Sequence, residues 1–219
     1  MTYHGQVLSR GAEALIVLTV FNGLKAVVKL RIPKGYRDKE LDTILRSKRT
    51  ITEAKILTQA KELGVPVPSV LFTDPQNGVL VIEYIDGKLL KNLLNAVSLD
   101  KACSLMQKVG KYVGLMHKNG IIHGDLTTSN MVTVGDEVYI IDFGLSSFSK
   151  ELESMGVDIH LFLRALESTH YGRHRELFKC FLKGYALVIG QKTYKDVLEK
   201  VREIRLRGRY IEERKKRPL

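Results

Sequence analysis

Short apolar runs broken by turn residues fill the first thirty positions: Gln6-Val7-Leu8, a loop from Arg10 to Ala14, Leu15 to Phe21, Asn22-Gly23, then Leu24 to Leu30. Asn-Gly between two runs rich in Val, Ile and Leu predicts a tight hairpin, because both turn residues must accept positive φ. A strand therefore follows the Gly11 loop. That argues against a Walker-type loop or a dinucleotide fingerprint, both of which present phosphate to a helix N-terminus. Leu41 to Leu63 reads as a helix, with Ile51, Ala54 and Leu57 three apart, stopped by Gly64, Pro66 and Pro68. Val79 to Ile82, between two turn signals, predicts a short buried strand. Beyond Asp86 the pattern turns helical: Lys88 to Asn95, then one long helix on Ala102, Leu105, Val109, Val113 and Met116 that ends before Asn119-Gly120. A second hairpin, Met131 to Val134 and Val138 to Ile141, is joined at Gly135-Asp136. Two helices are expected after Gly144, one on Val157, Leu161 and Ala165, the other around Phe178, Leu182 and Tyr185. The expected class is α+β, with a sheet-rich region over 1–85, a helical region over 86–205 and a basic tail over 206–219.

With 219 residues, 44% of them hydrophobic, the chain has enough apolar mass for packed cores, which excludes disorder as the default. The formal net charge of +11 favours polyanionic partners, nucleic acid or nucleotide phosphates, without choosing between them. Between Arg202 and Arg217 there are eight basic residues (Arg202, Arg205, Arg207, Arg209, Arg214, Lys215, Lys216 and Arg217) against Glu203, Glu212 and Glu213, a surface that attracts a phosphate backbone without reading bases. A solvated helix face is the plainer reading of the same run. Cys103 and Cys180 belong to no metal-type cluster in a chain too large to need stapling, so they are expected to pack as small hydrophobes in a reducing compartment. His4, Gly5 and Gln6 stand where a secretory signal would be apolar, and no run approaches the ~18 apolar residues of a membrane span. The expectation is a cytoplasmic protein without a membrane partner.

Chemistry concentrates in His123-Gly124-Asp125-Leu126-Thr127-Thr128-Ser129-Asn130 and, after the second hairpin, Asp142-Phe143-Gly144. The hairpin doubles the chain back, so Asp125, Asn130 and Asp142 can converge. Mg²⁺ takes hard oxygen ligands; Asn130 and Asp142 suit ions bridging phosphates, and Asp125 suits the orientation of an attacking hydroxyl or water. Lys29 on the third strand and Glu53 on the first helix match the kinase pair in which glutamate holds a phosphate-gripping lysine. Alone, each of these residues is ordinary; in this order and spacing they indicate phosphoryl transfer. His123 is expected to buttress the Asp-Phe-Gly turn and His117 to cap or pack the long helix.

Arg10-Gly11-Ala12-Glu13-Ala14, the segment from Arg31 to Tyr36 (RIPKGY), Thr52-Glu53-Ala54, HGDLTTSN and IDFGLS together resemble the small atypical kinase subunit of the KEOPS tRNA-modification complex, over nearly the whole chain. His-Gly-Asp alone also occurs in RIO-type kinases and in aminoglycoside and choline phosphotransferases. The Gly-Ala-Glu-Ala loop and the Thr-Thr-Ser-Asn string are the more specific part.

The resemblance implies a bilobal protein-kinase-like fold binding ATP and Mg²⁺. Leu8, Ser9, Arg10, Gly11, Ala12, Glu13, Ala14, Ile16, Lys29, Glu53, Glu83 and Ile85 would contact nucleotide, Asp125 would be catalytic, and Asn130 and Asp142 would hold metal. It further implies Ser/Thr autophosphorylation and ATP hydrolysis in support of threonylcarbamoylation of tRNA. The helical lobe would dock on the threonylcarbamoyl-transferase subunit and the N-terminal lobe on a small tRNA-binding subunit. Arg205, Arg207, Arg209, Arg214, Lys215, Lys216 and Arg217 would approach tRNA. Departures from ordinary protein kinases are a single glycine in the phosphate loop, no arginine in His-Gly-Asp, and no Ala-Pro-Glu string, so a peptide-docking platform is expected to be missing. An assembly module whose ATP site only sets a conformation, and a small-molecule phosphotransferase, are the competing readings.

Overall fold

The computed structural model describes residues 5–11 and 14–215, with side chains in the last helix described to residue 207. Ala12, Glu13, Lys216 and Arg217, and the side chains of Arg209, Arg214 and Lys215, lie outside the described residues. The chain divides into two units, Met1–Asp86 and Gly87–Leu219.

The first unit is a five-stranded antiparallel sheet with one helix. Its strands are β1 (Gln6–Arg10), β2 (Ala14–Phe21), β3 (Leu24–Arg31), β4 (Val70–Asp74) and β5 (Val79–Glu83), in the order β1-β2-β3-β5-β4. Asn22 and Gly23 turn the central hairpin with φ of 49° and 82°, so Phe21 pairs with Leu24 and the register runs unbroken to Ala14 opposite Arg31. One sheet face buries Val17, Ala26, Val28, Val79 and Val81. Strand β4 carries too short an alternation to be read from sequence; it is defined by its pairing with β5 and by Asn77, whose side chain and backbone N–H both donate to Asp74 and close the turn.

Helix α1 (Lys39–Glu62) begins where Asp38 accepts from the N–H groups of Glu40 and Leu41, and ends before Gly64, whose φ is 78°. Its buried residues include Thr50, Glu53, Ile56, Leu57 and Ala60, whereas Ile51 is exposed. The buried face is thus rotated from the one expected on Ile51, Ala54 and Leu57. A charged residue, Glu53, occupies a core-facing position because two cations neutralise it, and a hydrophobic pattern cannot register that.

In the second unit β6 (Lys88–Leu89), α2 (Leu90–Ala96) and α3 (Leu99–Lys118) lead to β7 (Ile121–Ile122); a 3-10 turn (Thr128–Asn130) leads into the hairpin of β8 (Met131–Val134) and β9 (Glu137–Ile140); and β10 (Ser147–Phe148) precedes α4 (Leu152–Thr169), α5 (His174–Ile189) and α6 (Gln191–Lys215). Lys88 and Leu89 are strand rather than the first turn of a helix because they pair with Thr133 and Val132. Helix α3 buries Ala102, Leu105, Val109, Val113 and Met116 along the expected stripe.

It also buries Gly110 against α5: a Cβ there would collide with the backbone oxygen of Phe181, and one at Gly184 with that of Gln107. At this close crossing Cys103 and Cys180 form a disulfide, their Cα atoms 5.2 Å apart. The expectation of two thiols packed as small hydrophobes is corrected. Partners 77 residues apart meet only through the α3–α5 packing, which the spacing does not reveal.

Among the described residues three helices, not two, follow Asp-Phe-Gly. The basic tail expected from residue 206 continues a helix: α6 passes unbroken through residues 205 and 206, with Gly156 of α4 against Lys200 and Ile204. No helix among the described residues is long and apolar enough to cross a membrane.

Candidate active site

Each unit carries its own set of candidate residues. In the first, the register lines up Ser9, Ile16, Lys29 and Leu80 as one row across four strands, so the edge leading into the Gly11 loop lies two strands from Lys29. The loop is closed by Gly11 N–H donating to the Ala14 carbonyl at 3.0 Å, and Leu8, Ser9 and Arg10 are exposed. Lys29 Nζ donates to Glu53 Oε1 at 2.7 Å, and Arg31 Nη2 donates to Glu53 Oε2 at 2.5 Å. All three residues are buried. Arg31 escaped the sequence reading; its signal was its place two residues beyond Lys29, on the same face of β3.

Glu83 and Ile85 were expected to contact nucleotide. The Glu83 N–H donates to Ser69 O and that of Tyr84 to Lys25 O, while the Glu83 carboxylate accepts from the Ser69 N–H and hydroxyl. Partial burial works to raise that carboxyl, but the Ser69 hydrogen bonds and Lys61 outweigh it and hold it below the ordinary value.

In the second unit the loop after β7 is held from behind by α4. Asp158, fully buried, accepts from the His123 N–H and the Gly124 N–H, each at 2.9 Å, and faces His117 Nε2 at 3.1 Å. Burial works to raise the Asp158 carboxyl; the His117 hydrogen bond and charge, followed by His123, outweigh it and keep the group below the ordinary carboxylate range. His117 Nδ1 in turn meets the Tyr185 hydroxyl at 3.0 Å. Gly124 has a φ of 79° and lies so close to Leu145 that a Cβ would strike its carbonyl oxygen, so only glycine fits between histidine and aspartate.

His123 Nε2–H donates to Ile141 O at 3.1 Å, its Nδ1 accepts from the Asp125 N–H at 3.2 Å, and its ring packs on Phe143 with centroids 4.7 Å apart. The buttressing expected of His123 is therefore a specific tautomer joining the two loops.

Asn130 donates from Nδ2 to both the Asp125 carbonyl and Asp125 Oδ2, each at 2.9 Å, which leaves its amide oxygen as the group with acceptor capacity to spare. Ile141 N–H donates to Asn130 O at 2.9 Å, extending the β8–β9 ladder by one rung and placing Asp142 beside Asn130. Asp142 has a φ of 60°, uncommon for a non-glycine residue; Gly144 N–H donates to its Oδ1 at 3.3 Å, and buried Phe143 anchors the turn. The 3-10 turn carrying Asn130 is tied down by Thr128 Oγ1 to His170 Nε2 at 3.0 Å and His170 Nδ1 to Asn95 Oδ1 at 2.8 Å. Burial, with Lys91, keeps His170 below the ordinary histidine value.

The donors at Asn130 and Asp142 are all oxygen, and no cluster of three His, Cys, Asp or Glu stands ready for a metal among the described residues. That set fits a hard divalent cation completed by ligand phosphates rather than a caged structural metal. Of the basic residues, Arg205 pairs with Glu167 at 2.9 Å and Arg207 with Glu153 at 2.5 Å.

Residues 6–209 match the model of the protein kinase domain. The chain is 46% identical over 213 residues to the KEOPS complex subunit Bud32 of Pyrococcus abyssi, covering 94% of this chain and 97% of that protein. The chain belongs to the Bud32 family of protein kinase domains. Probable bifunctional tRNA threonylcarbamoyladenosine biosynthesis proteins of Methanosarcina acetivorans (44% identity) and Methanothermobacter thermautotrophicus (43%) match over 94% of this chain, which spans only 36% and 37% of their lengths. As a protein kinase domain of the Bud32 family, the chain is a phosphotransferase-type enzyme, and the domain brings with it ATP and a divalent metal.

Proposed function

We propose that the chain is an ATP-dependent Ser/Thr-type kinase and ATPase that supports formation of N6-threonylcarbamoyladenosine in tRNA as a KEOPS subunit, with Mg²⁺ as its metal. The observation that carries this is the Asp125–Asn130 pair: one amide holds both the carbonyl and the carboxylate of Asp125 and keeps its own oxygen as an acceptor, on the residue whose backbone carbonyl pairs with Ile141, next to Asp142. Mg²⁺, when bound, supplies charge neutralisation of the triphosphate, with Asn130 and Asp142 as its protein ligands. Asp125 orients the attacking hydroxyl or water and accepts its proton. Lys29, aimed by Glu53, binds phosphate; the Gly11 loop from Leu8 to Ala14, with Ile16, covers it; Glu83 and Ile85 offer backbone groups to the adenine edge.

In the same reading the second unit docks on the threonylcarbamoyl-transferase subunit, the first unit on a small tRNA-binding subunit, and the basic end of α6 on tRNA. The relatives named for tRNA threonylcarbamoyladenosine biosynthesis support the assignment.

The test is ATP turnover by folded Lys29→Ala and Asp125→Asn. Each is expected to fall by a factor of about 10² or more, and wild-type turnover in both removes the catalytic assignment. If tRNA modification by the reconstituted complex survives Asp125→Asn, the protein acts there as a nucleotide-gated assembly subunit.

A further inference from the structure

The loop from Ile32 to Tyr36 has no part in the chemistry above, yet with Arg31 and Arg37 it forms one wall of a recess facing α1. The lining is Arg31, Ile32, Lys34 and Arg37 from the strand end and loop, with Leu45, Arg46 and Arg49 from the helix. Five of these seven residues are cationic and none is acidic. Asp42, buried behind the lining, organises it: its carboxylate accepts from Arg46 Nε at 2.8 Å and from the Lys34 N–H at 3.3 Å, and lies 3.7 Å from Arg37. Those bonds, with Asn77 O, take Nε and Nη1 of Arg46; each guanidinium carries five N–H donors, so donor capacity remains. The interior is about 10 Å³, room for roughly one water-sized group. It therefore admits a phosphate oxygen and excludes a nucleobase or a sugar.

Beside it Tyr36 is 79% exposed, with the Arg37 guanidinium 5.4 Å from its ring centroid. An exposed aromatic next to a cationic notch is the pairing that single-stranded RNA takes: a base stacked on the ring and the adjoining phosphate in the notch. A phosphopeptide would use the notch and leave the ring without a role.

We propose that this recess and Tyr36 form a second RNA site, in the first unit, that seats one backbone phosphate and stacks one unpaired base of tRNA. The inference rests on the tRNA reading above and adds a contact independent of the basic end of α6. Its effect on chemistry would pass through Arg31, which shares Glu53 with Lys29.

The experiment measures binding of the full chain to a tRNA transcript, to single-stranded RNA and to heparin across a salt series. Lys34→Gln with Arg49→Gln is expected to weaken binding of all three polyanions roughly five- to tenfold at low salt and to reduce the salt slope for tRNA by about 1. Lys34→Arg with Arg49→Lys is expected to restore both, which separates lost charge from misfolding. Tyr36→Ala is expected to weaken the two RNAs but not heparin, and Tyr36→Phe to bind as wild type.

Wild-type affinity and slope in the glutamine pair overturn the recess and leave the tRNA reading standing. Absence of RNA binding by the wild-type chain overturns both. Displacement of tRNA by a phosphothreonine peptide at lower concentration than by single-stranded RNA, lost in the glutamine pair, overturns RNA in favour of a phosphopeptide.

Discussion

At the scale of single residues, the site depends on charges that are buried and answered. Asp158→Ala strips the His123 and Gly124 N–H groups and His117 of their acceptor at once, and is expected to cost about 3 kcal/mol of stability, measured by urea unfolding. Because its carboxyl sits below the ordinary value of 3.8, the stability it contributes is complete above that value and fades as pH falls toward its own lower pKa. Acid unfolding of the wild type should therefore steepen below about pH 4, and the Asp158→Asn variant should lose that component.

The contrast with what the sequence showed is physical. Asp125, Asn130 and Asp142 sit in short strings whose order alone points to a reaction. Asp158 and His170 sit on or after a helix whose pattern reads as ordinary amphipathic surface, and Arg31 reads as the end of a strand. Burial of a charge becomes visible only when its partners, 34 to 41 residues away in the case of Asp158, are in place.

At the scale of elements, the crossing of α3 over α5 is the most constrained packing described, because two glycines let the backbones meet. Gly110→Ala has no side chain to push aside, only the Phe181 carbonyl, so the helices must separate; a loss of about 2–4 kcal/mol, read as a lowered urea midpoint, is expected. The elements themselves were legible where local chemistry dictates them: the Asn22-Gly23 hairpin, the stripe of α3, the turn at Gly135. They were illegible where pairing decides. Strand β4 exists by virtue of β5, Lys88-Leu89 becomes strand because β8 lies beside it, and α1 is rolled so that Glu53 faces inward. The end of α6 shows the same dependence, since Arg205 and Arg207 read as a solvated run until Glu167 and Glu153 are opposite them. The Arg207–Glu153 pair is exposed and the Arg205–Glu167 pair half-buried, and each contributes at most about 1 kcal/mol. Truncation after Arg205 should leave the melting temperature nearly unchanged while weakening tRNA binding and flattening its salt dependence.

At the scale of the whole molecule, a net charge of +11 predicts affinity for tRNA that falls steeply with ionic strength, and two separately removable contributions to that slope, one from each unit. Adding the recess substitutions to the truncation should remove both contributions, and the double-variant cycle measures how nearly they add. The Cys103–Cys180 bridge bears on every such measurement. It closes a loop of 77 residues, for which about 2–4 kcal/mol of stabilisation is typical. Protein prepared with dithiothreitol and protein prepared in air would then be distinct species to a calorimeter, melting several degrees apart, and a partly oxidised batch would give two transitions from one pure polypeptide. Quantifying free thiol before each assay would decide which species a given rate or affinity describes.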